Sequence, residues 1–369
     1  MKKKICSKCV MDETDSGISF NEFGICNYCV EHEKIKHNYI FTPSQEQENL
    51  NTIANSLLKS KKGKYDCIIG LSGGVDSSYL AFLAHKMNLT PLCVHFDNGW
   101  NSEIAVGNIN KIVKKFNFDL VTYVINWEEF RDLQRSFIKA NVIDLEMLSD
   151  HAIFAALFKI RKEHNIKYVL SGTNFATEFG LPLSWIWSKM DWKNIKSIHD
   201  KFGTVKLKTY PHMSGLRWAL ISRFSFGGVF LEILNKVNYS KAKAISELKQ
   251  IGWQEYGGKH YESIITKFYQ AYILPKKFNV DKRIFHLSAL IRNNEISRDE
   301  ALTVISKPTY EIEDFSFERE YFLKKLGFTE EEFNKYIESP AIGHMYYGSD
   351  RKFILFLKKV LNILKKRQS

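Results

Sequence analysis

The chain has 369 residues, 44% of them hydrophobic, and a formal net charge of +12. That is enough apolar material for one large or two to three smaller packed domains, and it excludes a disordered or collagen-like chain. The lysines are scattered, with mild clusters only at 59–64, 358–359 and 365–367 and no RNA-module signature, so the charge alone does not call for a nucleic-acid partner.

Residues 1–30 carry two C-x-x-C knuckles, Cys6/Cys9 and Cys26/Cys29. Two knuckles can give four thiolates to one tetrahedral ion and leave no open position, which predicts a structural zinc ribbon. The rivals are a disulfide pair, against which a reducing cytoplasm argues, and a redox dithiol, which would expect a thioredoxin-like context. No N-terminal run has the apolar centre of a secretion signal. The most apolar stretch, Trp218–Leu234, is too short to span and carries Arg223 and Glu232. A cytoplasmic protein with no membrane span is expected.

Residues 31–64 read as a polar linker with one amphipathic helix, Asn49–Leu58, closed by a turn at 61–64. From 65 to 180 strands and helices alternate. The strands are expected at Cys67–Leu71, Pro91–Phe96, Leu120–Ile125 and Tyr168–Ser171. The helices fall at Ser77–Met87, Ala105–Phe116, Trp127–Ala140 and Asp150–His164. This spacing predicts an α/β fold with a doubly wound parallel sheet, whose ligands bind at the carboxyl ends of the strands. The distinctive polar segments all fall there. Cys67 and Cys93 lie inside strands and read as small buried hydrophobes.

The first such segment is Ser72-Gly73-Gly74-Val75-Asp76-Ser77-Ser78. A strand, a glycine pair and hydroxyls at a helix start make a phosphate site: the backbone comes close to the anion, and the free N–H groups point at it. The Walker lysine pattern is absent, which suggests a different cleavage of ATP. Asp76 suits Mg²⁺, a hard cation that takes carboxylate and phosphate oxygens together. Asp97 and Asn98 end the second strand, where they can bond ribose hydroxyls. Gly172, Thr173 and Asn174 end a later strand, with Glu178 beyond.

The alternation breaks over residues 181–239, the first part of a segment that runs from 181 to 280. Their tryptophans read either as the core of a helical insertion or as the wall of a sugar pocket. Within the segment, 252–263 gathers two glycines with Lys259, His260 and Glu262. Lys259 suits charge at an attacked α-phosphate, and His260 suits proton transfer near neutral pH. Residues 281–369 read as helical, with Ser297 capping a helix and Glu300 three residues on.

The glycine loop resembles the PP-loop of the N-type ATP pyrophosphatases, the adenine nucleotide alpha hydrolase-like fold. That resemblance implies that Ser72, Gly73, Gly74, Val75, Ser77 and Ser78 bind the pyrophosphate of ATP and that Asp76 sits near magnesium. Ser171–Asn174 is similar to the corresponding segment of the GMP and NAD synthetases, with Glu178 as the downstream acid. Beyond the loop, Cys-x-Lys-Cys-Val-Met-Asp, His95–Asn101, Gly257–Ser263, His286–Ile291 and Ser297–Leu302 resemble the N-acetyl sugar amidotransferases, the WbpG, PseA and LegB proteins. The resemblance implies that an acetamido oxygen is adenylated and that ammonia displaces AMP, giving an acetamidino sugar for surface polysaccharide or flagellin glycan. It also implies an ammonia-supplying glutaminase and a barrel subunit like those of imidazole glycerol phosphate synthase. The alternatives are a PP-loop tRNA thiolase and a non-catalytic zinc-ribbon binding protein.

Overall fold

The computed structural model describes residues 3–224, 229–256, 262–310 and 312–366. Five strands form one sheet: β1 (Cys67–Gly70), β2 (Pro91–Asp97), β3 (Asp119–Val124), β4 (Tyr168–Ser171) and β5 (Val229–Glu232). All pairings are parallel, in the order β3-β2-β1-β4-β5. The chain moves outward from β1 through β2 to β3, then returns to the other side of β1. The topological switch point therefore lies between β1 and β4, where such sheets open a crevice.

The helices, in chain order, begin with α1 (Asn27–Ile35), α2 (Pro43–Ser60), α3 (Val75–Lys86), α4 (Glu103–Phe116), α5 (Trp127–Lys139) and α6 (Met147–Glu163). Then come α7 (Phe175–Glu178), α8 (Trp192–Phe202), α9 (Gly215–Phe224), α10 (Lys241–Lys249), α11 (Ile264–Phe268) and α12 (Leu274–Phe278). The last five are α13 (Lys282–Arg292), α14 (Arg298–Ser306), α15 (Ile312–Leu326), α16 (Glu330–Glu338) and α17 (Arg351–Lys366). Helix α2 starts well before the expected Asn49, because Thr42 and Gln45 form a capping box with Pro43 in the first turn. The cap, not the apolar spacing, sets that end.

Strand alternation sorts the sheet into two faces. Cys67, Ile69, Cys93 and Leu170 join the core under α3, α4 and α10. Ile68, Leu92, Val94 and Val169 pack on α6. Both faces are covered, so the strands carry apolar residues at nearly every position. A third core joins α5, α8 and α11 to α16, and the four knuckle cysteines lie in it.

One expectation for residues 181–239 needs correction. The stretch is not wholly helical, since it supplies the edge strand β5, paired from Tyr168↔Val229 to Ser171↔Glu232. Its tryptophans are packing elements. Trp185 is buried, Trp187 stacks on His344, Trp192 on His212, and Trp218 meets Phe158 edge-on. The loop that follows α8 is fastened to α5 by acid anchors. Glu129 accepts from Thr209 and Tyr210 N–H, and Asp132 from Thr204 and Val205 N–H.

Candidate active site

The glycine loop leaves β1 and enters α3. Gly73 has φ +81, and a Cβ there would stand 2.3 Å from the Ala105 carbonyl oxygen. Only glycine fits this position without a backbone shift. The Gly73 carbonyl accepts from Trp253 Nε1 at 3.0 Å and Asn108 Nδ2 at 3.3 Å, which hold the turn from behind. Ser72 and Ser77 face each other, Oγ to Oγ, at 3.1 Å. Gly74 precedes α3 without a side-chain cap, so the first turn of the helix keeps donors for an anion.

Tyr256 Oη accepts from Val75 N–H at 3.2 Å. Burial, then the Glu262 carboxylate, hold this phenol above its ordinary range, so it stays protonated. Its neighbour Glu262 lies against the loop: a Cβ on Gly74 would be 3.3 Å from Glu262 Oε1.

The end of β4 closes the other side. Gly172 passes so near α3 that a Cβ would sit 3.4 Å from Ser77 N. Asn174 caps α7 through Thr177 N–H and donates to Asp76 Oδ1 at 3.3 Å. Tyr239 Oη donates to the same oxygen. Burial, followed by Asp76, keeps that phenol protonated as well. Two donors thus aim Asp76 and leave its carboxylate in a cavity of about 230 Å³ lined by Ser72, Gly74, Ser77, Gly172, Glu178 and Glu262. Acids beside a phosphate loop need a cation to offset the triphosphate. Asp76, with Glu178 across the cavity, offers the oxygen donors that suit Mg²⁺.

A second cavity, about 370 Å³, adjoins the first and shares Ser72 and Glu262 with it. One wall is apolar, from the residue after β1, from β2 and from α6: Leu71, Val94, Phe96, Ile153 and Leu157. The other is charged. Glu146 accepts from Gln270 at 2.7 Å and from Lys282 at 2.5 Å. Lys189 reaches Asp144 at 2.8 Å and Asp150 at 3.0 Å. Tyr269 and Gln270 open a π-helical turn, Tyr269–Ile273, between α11 and α12. Such turns displace a side chain from the regular helical path and recur at functional sites.

The four knuckle thiols form a buried cluster with every Sγ within 4.8 Å of the others. Cys9 and Cys26 Sγ are 3.7 Å apart, far beyond a disulfide and close to the edge of a tetrahedron of metal-bound sulfurs. Backbone N–H groups of Lys8, Cys9 and Cys26 point at Cys6 Sγ. Hydrogen bonds from Cys26, then Cys29 and Cys9, draw Cys6 well below the thiol range, while those with Cys26, Cys6 and Cys9 push Cys29 well above it. Four thiols this close can all ionise only around a cation, and the donor set fits zinc. Arg298 of α14 ties the first knuckle to the carboxyl-terminal helices through the Cys6 and Cys9 carbonyls.

The structure brings most of the expected residues to one place. Ser72, Gly74, Val75, Asp76, Ser77, Gly172, Glu178 and Glu262 line the phosphate-side cavity. Asn98 lines the larger one, bonding Ser149 at 3.2 Å. Asp97 turns to its own loop and accepts from Gly99 N–H at 2.9 Å. Thr173 is exposed beside Ser171. Ser78 is fully buried, and its Oγ has no hydrogen-bond partner among the described residues. Lys259 and His260 lie outside the described residues. Sequence reading passed over Tyr239 and Asn108, which aim or brace the loop, and the charged wall of the larger cavity. No motif marks these residues, because they converge from distant segments.

Two protein families match the chain. Residues 61–174 match asparagine synthase, and residues 262–361 match the C-terminal domain of the WbpG-like LPS biosynthesis proteins. With the parallel sheet and the glycine loop, the first match defines the class: an ATP-utilising fold of the PP-loop ATP pyrophosphatases. The second adds that residues 262–361 are similar to the carboxyl-terminal domain of the WbpG-like proteins, so the chain joins a PP-loop ATP-utilising fold to a WbpG-like carboxyl-terminal region. An uncharacterized protein of Methanocaldococcus jannaschii is 30% identical over 169 residues, 45% of this chain and 58% of that one. The glutamine-hydrolyzing GMP synthase of Baumannia cicadellinicola subsp. Homalodisca coagulata is 38% identical over 94 residues, 24% of this chain and 16% of that one. The matches thus span less than two thirds of either relative. The NMN synthetase structure from Francisella tularensis aligns at 14% identity with a TM-score of 0.41, covering 78% of this chain and 97% of that one.

Proposed function

We propose that the protein is an ATP-dependent, AMP- and pyrophosphate-forming C–N ligase that converts the acetamido group of an N-acetyl sugar into an acetamidino group. The observation that carries this reading is the pair of cavities meeting at Ser72 and Glu262. One has the donors of a phosphate site. The other combines an apolar wall with a charged, hydrogen-bonding one, and suits an acceptor with hydroxyl groups.

An amide carbonyl is a poor electrophile, and its oxygen is a poor leaving group. In the proposed reaction that oxygen attacks the α-phosphorus, and the bond to the pyrophosphate bridge breaks. Ser72, Gly73, Gly74 and Ser77 hold the departing pyrophosphate. Asp76 and Glu178 would hold magnesium, whose charge offsets the phosphates. Ammonia then adds to the activated carbon, and AMP leaves with the former carbonyl oxygen. Glu262 stands at the junction of the cavities, where a proton from the incoming nitrogen must go. Lys259 and His260 complete the proposed set, with Lys259 at the α-phosphate. Asn98 lines the larger cavity, where its amide can bond a hydroxyl group, and Asp97 braces the loop that carries it. A separate glutaminase, acting with a barrel subunit, would supply the ammonia.

The thiolase alternative lacks its nucleophile. Cys67 and Cys93 are fully buried in strands, and burial pushes the Cys93 thiol up to about 12. Such thiols are inert.

The test incubates the protein with ATP, ammonium and a panel of N-acetyl sugars, free or nucleotide-linked. AMP and pyrophosphate should form in equal amounts, with a product whose mass shows O replaced by NH. Formation of ADP, or nucleotide turnover with the acceptor unchanged in mass, rules the reading out.

A further inference from the structure

The carboxyl-terminal helix carries a pattern that the proposed reaction does not use. Residues 351–367 read RKFILFLKKVLNILKKR, with seven basic residues and no acidic one. At the helical repeat, Phe353, Phe356, Leu357 and Val360 of α17 fall on one arc, and Arg351 and Lys352 lie off it. The fold covers only one edge of the apolar side. Ile354 is buried, packed so closely on α9 that a Cβ at Gly215 would meet it at 2.1 Å. Phe353 and Phe356 stay 54% and 62% exposed. Just before the helix Tyr346 is 69% exposed, and α9 leaves Leu216 and Leu220 exposed too.

Large aromatic groups in water on a segment with seven cations and no acid have few suitable partners. A protein groove would bury the aromatics, but nothing in it need answer so many like charges. An anionic lipid surface meets both demands: acyl chains take the rings, and head groups take the lysines. No helix among the described residues is long and apolar enough to cross a membrane, so such a helix would lie in the interface plane.

We infer that α17, with the exposed leucines of α9, is a docking surface for anionic phospholipid. It is separate from the two cavities, so its failure would leave the proposed reaction standing. The test sediments the full-length protein with phosphatidylglycerol/phosphatidylcholine vesicles and with pure phosphatidylcholine vesicles. Binding is expected to the first only, and to weaken as salt rises. Phe353→Glu/Phe356→Glu should weaken it about tenfold or more. Arg351→Glu/Lys352→Glu, which leaves the rings in place, should also weaken it about tenfold or more. Both variants should keep the native circular dichroism spectrum. Three results overturn the inference: protein in the supernatant with both vesicle types, equal binding to both, or a dimer in solution that Phe353→Glu/Phe356→Glu dissolves.

Discussion

Asp76 is the residue on which the site turns. It stands in the first turn of α3, and two donors from separate elements, Tyr239 and Asn174, converge on one of its oxygens. A carboxylate so aimed beside a phosphate loop is an unusual expense unless a cation sits with it. Replacing Asp76 by Ala should slow AMP formation by on the order of 100- to 1,000-fold. Unfolding free energy should fall by no more than about 1–3 kcal/mol, since the buried Tyr239 hydroxyl loses its acceptor but the core is untouched. Undiminished turnover in Asp76→Ala, measured by pyrophosphate release, would remove it from the site. The glycine loop was legible in the sequence because its constraints are local: strand, φ +81 at Gly73, helix start. Its braces were not. Trp253 and Asn108 reach it from segments 180 and 35 residues away, and no short pattern records such contacts.

At the scale of elements, β1 to β4 were legible as short apolar runs between helical ones. Strand β5 was hidden because it sits inside the apolar stretch Trp218–Leu234, where periodicity does not separate strand from helix. The helices around the larger cavity are joined by two buried histidines. His151 of α6 donates from Nδ1 to the Lys189 carbonyl and accepts the Met213 N–H at Nε2. His344 accepts the Asp144 N–H at 3.3 Å and meets Asn194 at 2.8 Å. Burial depresses both to about 4, below the ordinary value of 6.5. The unfolded chain therefore binds more protons in that interval, and stability rises with pH. Their contribution is whole above pH 6.5 and is lost as pH falls toward 4. Thermal scans should show the midpoint starting to fall just below pH 6.5, before most carboxylates titrate. A flat midpoint from pH 6.5 down to about 5 contradicts this account.

Across the whole molecule, the cysteine cluster links the beginning of the chain to its last third. The knuckles were readable from spacing alone. The Arg298 tie was not, since it joins residues nearly 300 apart. Elemental analysis should find one zinc per chain, and Cys6→Ser/Cys9→Ser should remove it. The unfolding midpoint should then drop by roughly 5–10 °C. A native protein without metal, equally stable, would refute the site. The order of the sheet has a further consequence, for how the protein acquires its shape. Strands β1, β2 and β3 follow one another closely, and their pairings close short loops. Strand β5 meets β4 only after residues 172–228 have been gathered in. Loop-closure entropy and contact order place that pairing late. The half of the sheet that carries the phosphate loop would then condense first. The edge on which the α9 region hangs would dock onto a nucleus already formed.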